Sequence, residues 1–349
     1  MPDQTLTKWA AAFVSASSRL ALFRELCFAF CLAGACCAAA AVITEDFATD
    51  PAQHGWRTFG DASLFSWDAT HQDLAVTWDS SHTNSFFYRS LGTVLTTGDD
   101  FSFSFDLRLS DLRVGSTPGK SNEFEIAVGL LNYRSATNAN AFRGAGASPT
   151  YGVRNIVEFD YFPDAGLGAT FATTVISSNN VFAYAHNDPL TLSIGDTFRL
   201  TLSYTASDQL LRTSALKNGA PFGPLGDVSL ADKPDFRVDS FAVTSYSDAI
   251  QADGAQFYGS VLARGVLDNV VLVVPPPPLG KISLRQTNAV WLVEFNSLTN
   301  WVYTLEGSAN FSGWLPAGPA TTGNGATLSL PDASAAPAKR FYRVRAERP

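Results

Sequence analysis

The sequence predicts an all-β chain, with a large jelly-roll sandwich followed by a small β-module. Three observations carry this. Apolar and polar residues alternate with period two in many short runs, the mark of strands with one buried face. Gly, Asp and Asn clusters separate these runs at turn spacing. Beyond the first forty-odd residues no long stretch has helical periodicity.

Those first residues form a distinct leader. Lys8, Arg19 and Arg24 precede an apolar run from Leu26 to Ala33, and small residues follow to Ala41. A positive flank, a short apolar stretch and a small-residue cleavage zone describe a secretory signal peptide over residues 1–41. The run is short for a membrane span, which needs roughly 20 apolar residues. A lipid anchor on Cys36 is a competing reading of Leu32-Ala33-Gly34-Ala35. Cys27, Cys31, Cys36 and Cys37 all lie in the leader, so a processed chain has no thiol and no disulfide. The expected destination is outside the cytoplasm, secreted or on the cell surface, with no membrane span after signal removal.

The main domain is expected over residues 42–274. Phe101-Ser102-Phe103-Ser104-Phe105-Asp106-Leu107-Arg108-Leu109 alternates over nine positions. Phe198 to Tyr204 repeats the pattern, and further strands are predicted at Leu74–Trp78, Phe124–Leu130, Phe236–Val243 and Leu267–Val273. Turns fall at Thr97-Gly98-Asp99-Asp100, Ile194-Gly195-Asp196 and Lys217-Asn218-Gly219. Gly144-Ala145-Gly146-Ala147-Ser148-Pro149 reads as a loop.

Pro275-Pro276-Pro277-Pro278 is a stiff spacer. After it, residues 279–349 read as a second unit with strands at Ala289–Phe295, Trp301–Glu306, Ala326–Leu330 and Arg340–Arg345. About seventy residues without a disulfide make a small core. Trp291, Trp301, Tyr303, Trp314 and Tyr342 supply large apolar area to it. Residues 42–278 carry 14 basic and 26 acidic side chains, net −12, whereas residues 279–349 carry 7 and 4, net +3. An acidic main domain argues against a nucleic-acid partner, whose phosphates need a basic face.

The main domain resembles the concanavalin A-like lectin/glucanase superfamily. Ile43-Thr44-Glu45-Asp46-Phe47 and Leu267-Asp268-Asn269-Val270-Val271 look like its paired first and last strands. Asn155-Ile156-Val157-Glu158-Phe159-Asp160-Tyr161-Phe162-Pro163-Asp164 is similar to the metal-binding strand of legume-type lectins. The resemblance implies metal ligation by Glu158, Asp160, the Phe162 carbonyl and Asp164. The positions of the family's second loop aspartate and its histidine hold Ala169 and Thr174, so a single Ca2+ is the cofactor it leaves. The final module is similar to short β-modules that end many secreted bacterial proteins, which implies an accessory role.

Read without the family, Glu158 and Asp160 stand two residues apart on one strand face, roughly 7 Å from each other. Two carboxylates so placed repel unless a cation, a base or a proton intervenes. Two readings stand side by side: a calcium site completed by Asp164, or a solvated pair or one bridged by Arg154, Arg143 or Arg89. A second candidate cation site joins Glu45, Asp46 and Asp268; its alternative is a surface turn satisfied by Asn269.

The function expected is non-catalytic carbohydrate binding, with an extracellular or cell-surface polysaccharide as partner. The candidate contacts are Asp106, Arg108, Tyr88 and Trp78. A structural or adhesive surface protein explains the same features. A glycoside hydrolase or lyase requires two carboxylates flanking the sugar, and Glu158-x-Asp160 is followed by Pro163 and Asp164 rather than by a Glu at the required step. Gly-x-Ser-x-Gly, His-Glu-x-x-His and phosphate-loop motifs are absent from the sequence.

Overall fold

In the computed structural model, residues 40–166, 168–251, 258–288, 290–332 and 340–349 are described. Residues 1–39 of the predicted leader, with all its cysteines, lie outside them, and its last residue, Ala41, opens the first strand. No helix among the described residues is long and apolar enough to cross a membrane.

Sixteen strands build the main domain. They are β1 (Ala41–Glu45), β2 (Trp56–Phe59), β3 (Phe65–Asp68), β4 (Asp73–Asp79), β5 (Ser85–Leu95), β6 (Phe101–Val114), β7 (Ile126–Leu131) and β8 (Ile156–Phe162). Then come β9 (Thr170–Ile176), β10 (Phe182–Asn187), β11 (Phe198–Thr205), β12 (Leu210–Lys217), β13 (Ala220–Phe222), β14 (Val228–Ser229), β15 (Val238–Ser245) and β16 (Val261–Val274). One sheet has nine strands in the order β13-β12-β11-β6-β16-β4-β3, with β1 on β16 and β14 on β12. The other has seven, β10-β9-β8-β7-β15-β5-β2. Every pairing in both sheets is antiparallel. This is the two-sheet sandwich expected from the sequence.

The core lies between the sheets. Phe101, Phe103, Phe105, Leu107 and Leu109 point inward from β6, while Ser102, Ser104, Asp106 and Arg108 alternate outward. Phe105 meets Phe159 of the opposite sheet with ring centroids 6.1 Å apart, and Phe103 meets Phe241 at 5.8 Å. Such contacts add to the burial of large apolar area that drives the layers together.

The seven-stranded sheet departs from simple alternation. All six residues of β7 are buried, and so are the first six of β8. A strand covered on one side only would show every second residue to water. The outer face of this sheet is therefore covered too. The cover is the excursion of residues 132–155, which joins β7 to β8. It opens on one helical turn, Tyr133–Ala136, whose Asn132 cap accepts from Ser135 N at 3.0 Å. Asn84 on the body of the sandwich donates to the carbonyl of Ala141, and Asn155 Oδ1 accepts from Arg237 N at 2.8 Å.

The C-terminal module contains β17 (Ser283–Thr287), β18 (Val290–Asn296), β19 (Val302–Ser308), β20 (Leu315–Pro316), β21 (Thr321–Thr322), β22 (Thr327–Pro331) and β23 (Phe341–Glu347). They form two small sheets around Val293, Phe295, Trp301, Tyr303, Leu305 and Leu330. Of the five aromatics expected in this core, Trp301 and Tyr303 are buried; Trp291, Trp314 and Tyr342 are half-buried. Tyr303 donates its hydroxyl to Pro278 O at 3.0 Å, tying the module to the proline spacer.

Candidate functional site

The outer face of the seven-stranded sheet is built from cross-strand rows. One row runs Arg57, Tyr88, Ala242, Gly129, Glu158, Thr174, Tyr184; the next runs Phe59, Phe86, Thr244, Ala127, Asp160, Ala172, His186. Glu158 and Asp160 thus rise from a floor of small neighbours. Gly129 is forced, because a Cβ there would come within 2.5 Å of Glu158 Cα.

Arg143 of the excursion descends onto this floor. Its Nη2 donates to Asp160 Oδ2 at 2.9 Å and its Nε to Glu158 Oε1 at 3.2 Å. The same Nε lies 3.4 Å from Glu125 Oε1, and the guanidinium carbon stands 5.7 Å from the Phe182 ring centre. Tyr246 donates its hydroxyl to Glu158 Oε2 at 2.9 Å. All three carboxyl groups are buried. Burial pushes the Glu125 carboxyl up to about 8, a rise that Arg143 offsets in part and Asp160 reinforces. Burial also raises Glu158, with Asp160 adding to it, and raises Asp160 against the pull of Arg143. Burial raises the Tyr246 phenol as well, so it stays a donor. One guanidinium faces three carboxyl groups, and a retained proton brings their charge closer to balance.

This donor set does not fit calcium. Ca2+ takes 6–8 oxygen ligands, and here a guanidinium occupies the point on which the carboxylates converge. Of the two readings of Glu158 and Asp160, the geometry is the bridged pair, with Arg143 rather than Arg154 or Arg89. The other predicted ligands are elsewhere. Phe162 ends β8 half-buried, and Asp164 lies in an exposed turn where its Oδ1 accepts from Gly166 N at 2.6 Å and Gly168 N at 2.9 Å. Among the described residues no group of three or more His, Cys, Asp and Glu is arranged to hold a metal.

The second acidic trio also diverges. Glu45 turns into the core, where Oε1 accepts from Phe47 N at 3.1 Å and Oε2 accepts from Trp56 Nε1 at 2.9 Å, with His54 Nδ1 also at 2.9 Å. Asp46 accepts from Ala48 N at 3.1 Å. Asp268 accepts from Asn269 N at 2.6 Å and from Asn269 Nδ2 at 3.1 Å.

The four predicted sugar contacts are not brought together. Asp106 and Arg108 stand on the outer face of the nine-stranded sheet. Asp106 borders a cleft of about 570 Å3 and accepts from Arg199 Nη1 at 3.3 Å and Asn269 Nδ2 at 2.9 Å. A bulge between Asp268 and Val271, with Asn269 at φ 50°, aims that amide at Asp106. Tyr88 belongs to the outer face of the other sheet, stacked on Tyr133 at 4.6 Å. Trp78 is 1% exposed, turned into the core like Leu74 and Val76 on its strand. It has no surface to offer a sugar.

A polar cleft of about 290 Å3 lies within the 132–155 excursion. Ser135, Asn138, Asn140, Thr150 and Arg154 line it, with Ala141, Pro149 and Gly152 completing the wall. Amides, hydroxyls and a guanidinium offer both donors and acceptors, the chemistry that polyhydroxylated ligands require. The arrangement can bind; it presents no carboxyl group for acid–base work. Apart from Arg154, which the sequence offered only as a partner for Glu158 and Asp160, these residues follow no period and no motif. Their signal is compositional: residues 132–155 contain three Arg and four Asn and no acidic residue, inside a domain of net charge −12.

No family model and no curated protein matches this chain. Solved structures do. The Lotus tetragonolobus seed lectin aligns at 13% identity over 68% of this chain and 100% of its own, with a TM-score of 0.42. Lectin II from Ulex europaeus aligns at 10% identity over 68% and 99%, with 0.43. An alginate lyase aligns at 11% identity over 67% and 97%, with 0.38. The likeness spans nearly the whole length of each and stops at the fold: this chain is an all-β, two-sheet sandwich by its own strand order and register.

Proposed function

We propose that this is a secreted, non-catalytic carbohydrate-binding protein whose glycan site is the polar cleft of the 132–155 excursion. The observation that carries the reading is the lining of that cleft by Asn138, Asn140, Ser135, Thr150 and Arg154. Secretion rests on the leader pattern of residues 1–41. A catalytic reading draws no support from Glu158 and Asp160, which are buried beneath Arg143 and cannot flank a sugar. Calcium has no part in the proposal.

The test is a glycan array probed with the purified protein, repeated with Asn140→Ala. Asn140 is exposed, so its loss leaves the fold intact. Binding to a polysaccharide that weakens about tenfold or more in the variant supports the site. Absence of binding to any glycan favours a structural or adhesive role.

A further inference from the structure

The charge of the cleft narrows the ligand. Residues 132–155 carry Arg134, Arg143 and Arg154 and no acidic residue. Arg143 is committed to Glu125, Glu158 and Asp160. Arg154 is not: it lines the cleft, it is exposed, and no ion pair forms on it among the described residues. Its hydrogen bond is a long one, from Nη2 to Pro149 O at 3.4 Å. The domain carries 26 acidic side chains against 14 basic ones, yet none of those carboxylates lines this cleft beside Arg154. Guanidinium forks match planar anionic groups with two parallel hydrogen bonds.

The wall beside Arg154 is held in place. Ser148 Oγ accepts from the backbone nitrogens of Thr150 and Tyr151, each at 3.3 Å, and Ser148 O accepts from Asn180 Nδ2 at 3.2 Å and Gly152 N at 3.0 Å. Gly152 allows this approach, since a Cβ there would lie 2.6 Å from Ser148 O. A fixed wall lowers the ordering cost of binding.

We infer that the cleft takes an anionic polysaccharide, with Arg154 gripping a sugar carboxylate or sulfate while Asn138 and Asn140 read neighbouring hydroxyls. The inference rests on the cleft being the glycan site. Two sources share this chemistry, uronic acids and sulfated sugars.

The experiment is binding of the full chain to polygalacturonate, dextran sulfate and uncharged dextran, with Arg154→Ala, Arg154→Lys and Asn140→Ala run in parallel. Binding to one or both anionic polymers, reduced about tenfold or more by Arg154→Ala and less by Arg154→Lys, is the expected result. Polygalacturonate alone identifies the carboxylate as the source; dextran sulfate alone identifies the sulfate. Dextran binding lost in Asn140→Ala but unchanged in Arg154→Ala overturns the anionic inference and leaves the site standing. Anionic binding indifferent to Arg154→Ala overturns the inference as well. No binding to any polymer, together with an empty glycan array, removes the site itself. Melting curves of the three variants, which touch exposed side chains only, verify that each is folded.

Discussion

Arg143 Nη2 donates to Asp160 Oδ2 at 2.9 Å on a sheet face where Asp160 is 0% exposed. The pair links the 132–155 excursion to the sandwich. Removing one partner of a buried ion pair leaves the other charge desolvated and unpaired, which typically costs about 3–5 kcal/mol. Arg143→Ala is expected to lose stability on that scale in urea unfolding. Arg143→Lys keeps the charge but not the fork, so it should recover only part. A loss below about 1 kcal/mol in Arg143→Ala, against that same benchmark, would mean the cluster is not structural.

The same geometry fixes the response to chelators. A ligand that binds only the folded state raises its stability, and removing that ligand lowers it. With a guanidinium at the meeting point of Glu158, Asp160 and Glu125, EDTA is expected to leave the melting temperature unchanged. Added calcium is expected to do the same. A calcium-dependent rise in melting temperature in the unaltered protein would contradict this geometry.

The buried carboxyl groups set a pH dependence with a definite sign. Burial raises Glu125 from 4.5 to about 8, and it raises Glu158 and Asp160 in the same direction. Between these limits the folded state holds protons that the unfolded chain releases. Stability is therefore full below the unfolded value and falls as pH rises from about 4.5 through about 8, by at most ~1.4 kcal/mol per pH unit for each proton retained. Unfolding midpoints measured from pH 5 to pH 9 should decline, and Glu125→Gln should flatten the decline. Asp68 behaves oppositely: a hydrogen bond from His71 lowers it to about 2. Its contribution is present above 3.8 and is lost as pH falls through about 2, outside the window of the buried cluster.

The two sheets differ in how far the sequence discloses them. Phe101 to Leu109 was legible because one face of β6 meets the core and the other meets water, so burial writes period two into the residues. In β8 both faces are buried, one by the opposite sheet and one by residues 132–155. Glu158 and Asp160 then interrupt an otherwise apolar strand, and their local spacing fits a metal site and an ion pair equally well. What decides between them is Arg143, fifteen residues before Glu158 and in a segment with no period. Trp78 shows the limit for surface sites, since its sequence context is the same whether the ring packs inward or faces a ligand. The acid-free run of residues 132–155 was present in the sequence, but it acquires meaning only once Arg143 is seen to be engaged and Arg154 is not.

Gly129 offers a test of the close approach between β7 and β8. A Cβ there would lie 2.5 Å from Glu158 Cα and from Val157 O. Both are backbone atoms, so neither can rotate away. Gly129→Ala is expected to force the two strands apart and to destabilise the domain by about 1–3 kcal/mol, the usual cost of overpacking. It should also loosen the Arg143 cluster. The readout is hydrogen exchange at the amides that pair β7 with β8. Unchanged protection would show that the strands have room to absorb the methyl group.

Arg348 reaches from the final strand's end to the sandwich. Its Nη1 donates to Val94 O at 2.9 Å and pairs with Asp99, and its guanidinium carbon stands 5.9 Å from the Trp301 ring centre. Arg237 donates to Arg348 O at 3.0 Å. Val94 and Asp99 belong to the sandwich, whereas Trp301 is in the module core, so one side chain spans both. A hydrogen bond to a charged group contributes about 1.5–3 kcal/mol. A module of about seventy residues has little core to spare, so the loss of such a contact falls mainly on the module. In calorimetry the unaltered protein is expected to unfold in one cooperative transition. Arg348→Ala should add an earlier transition with the small enthalpy of a seventy-residue unit, leaving the sandwich transition in place. A single unshifted peak in the variant would show that the module is held by its spacer and apolar contacts alone.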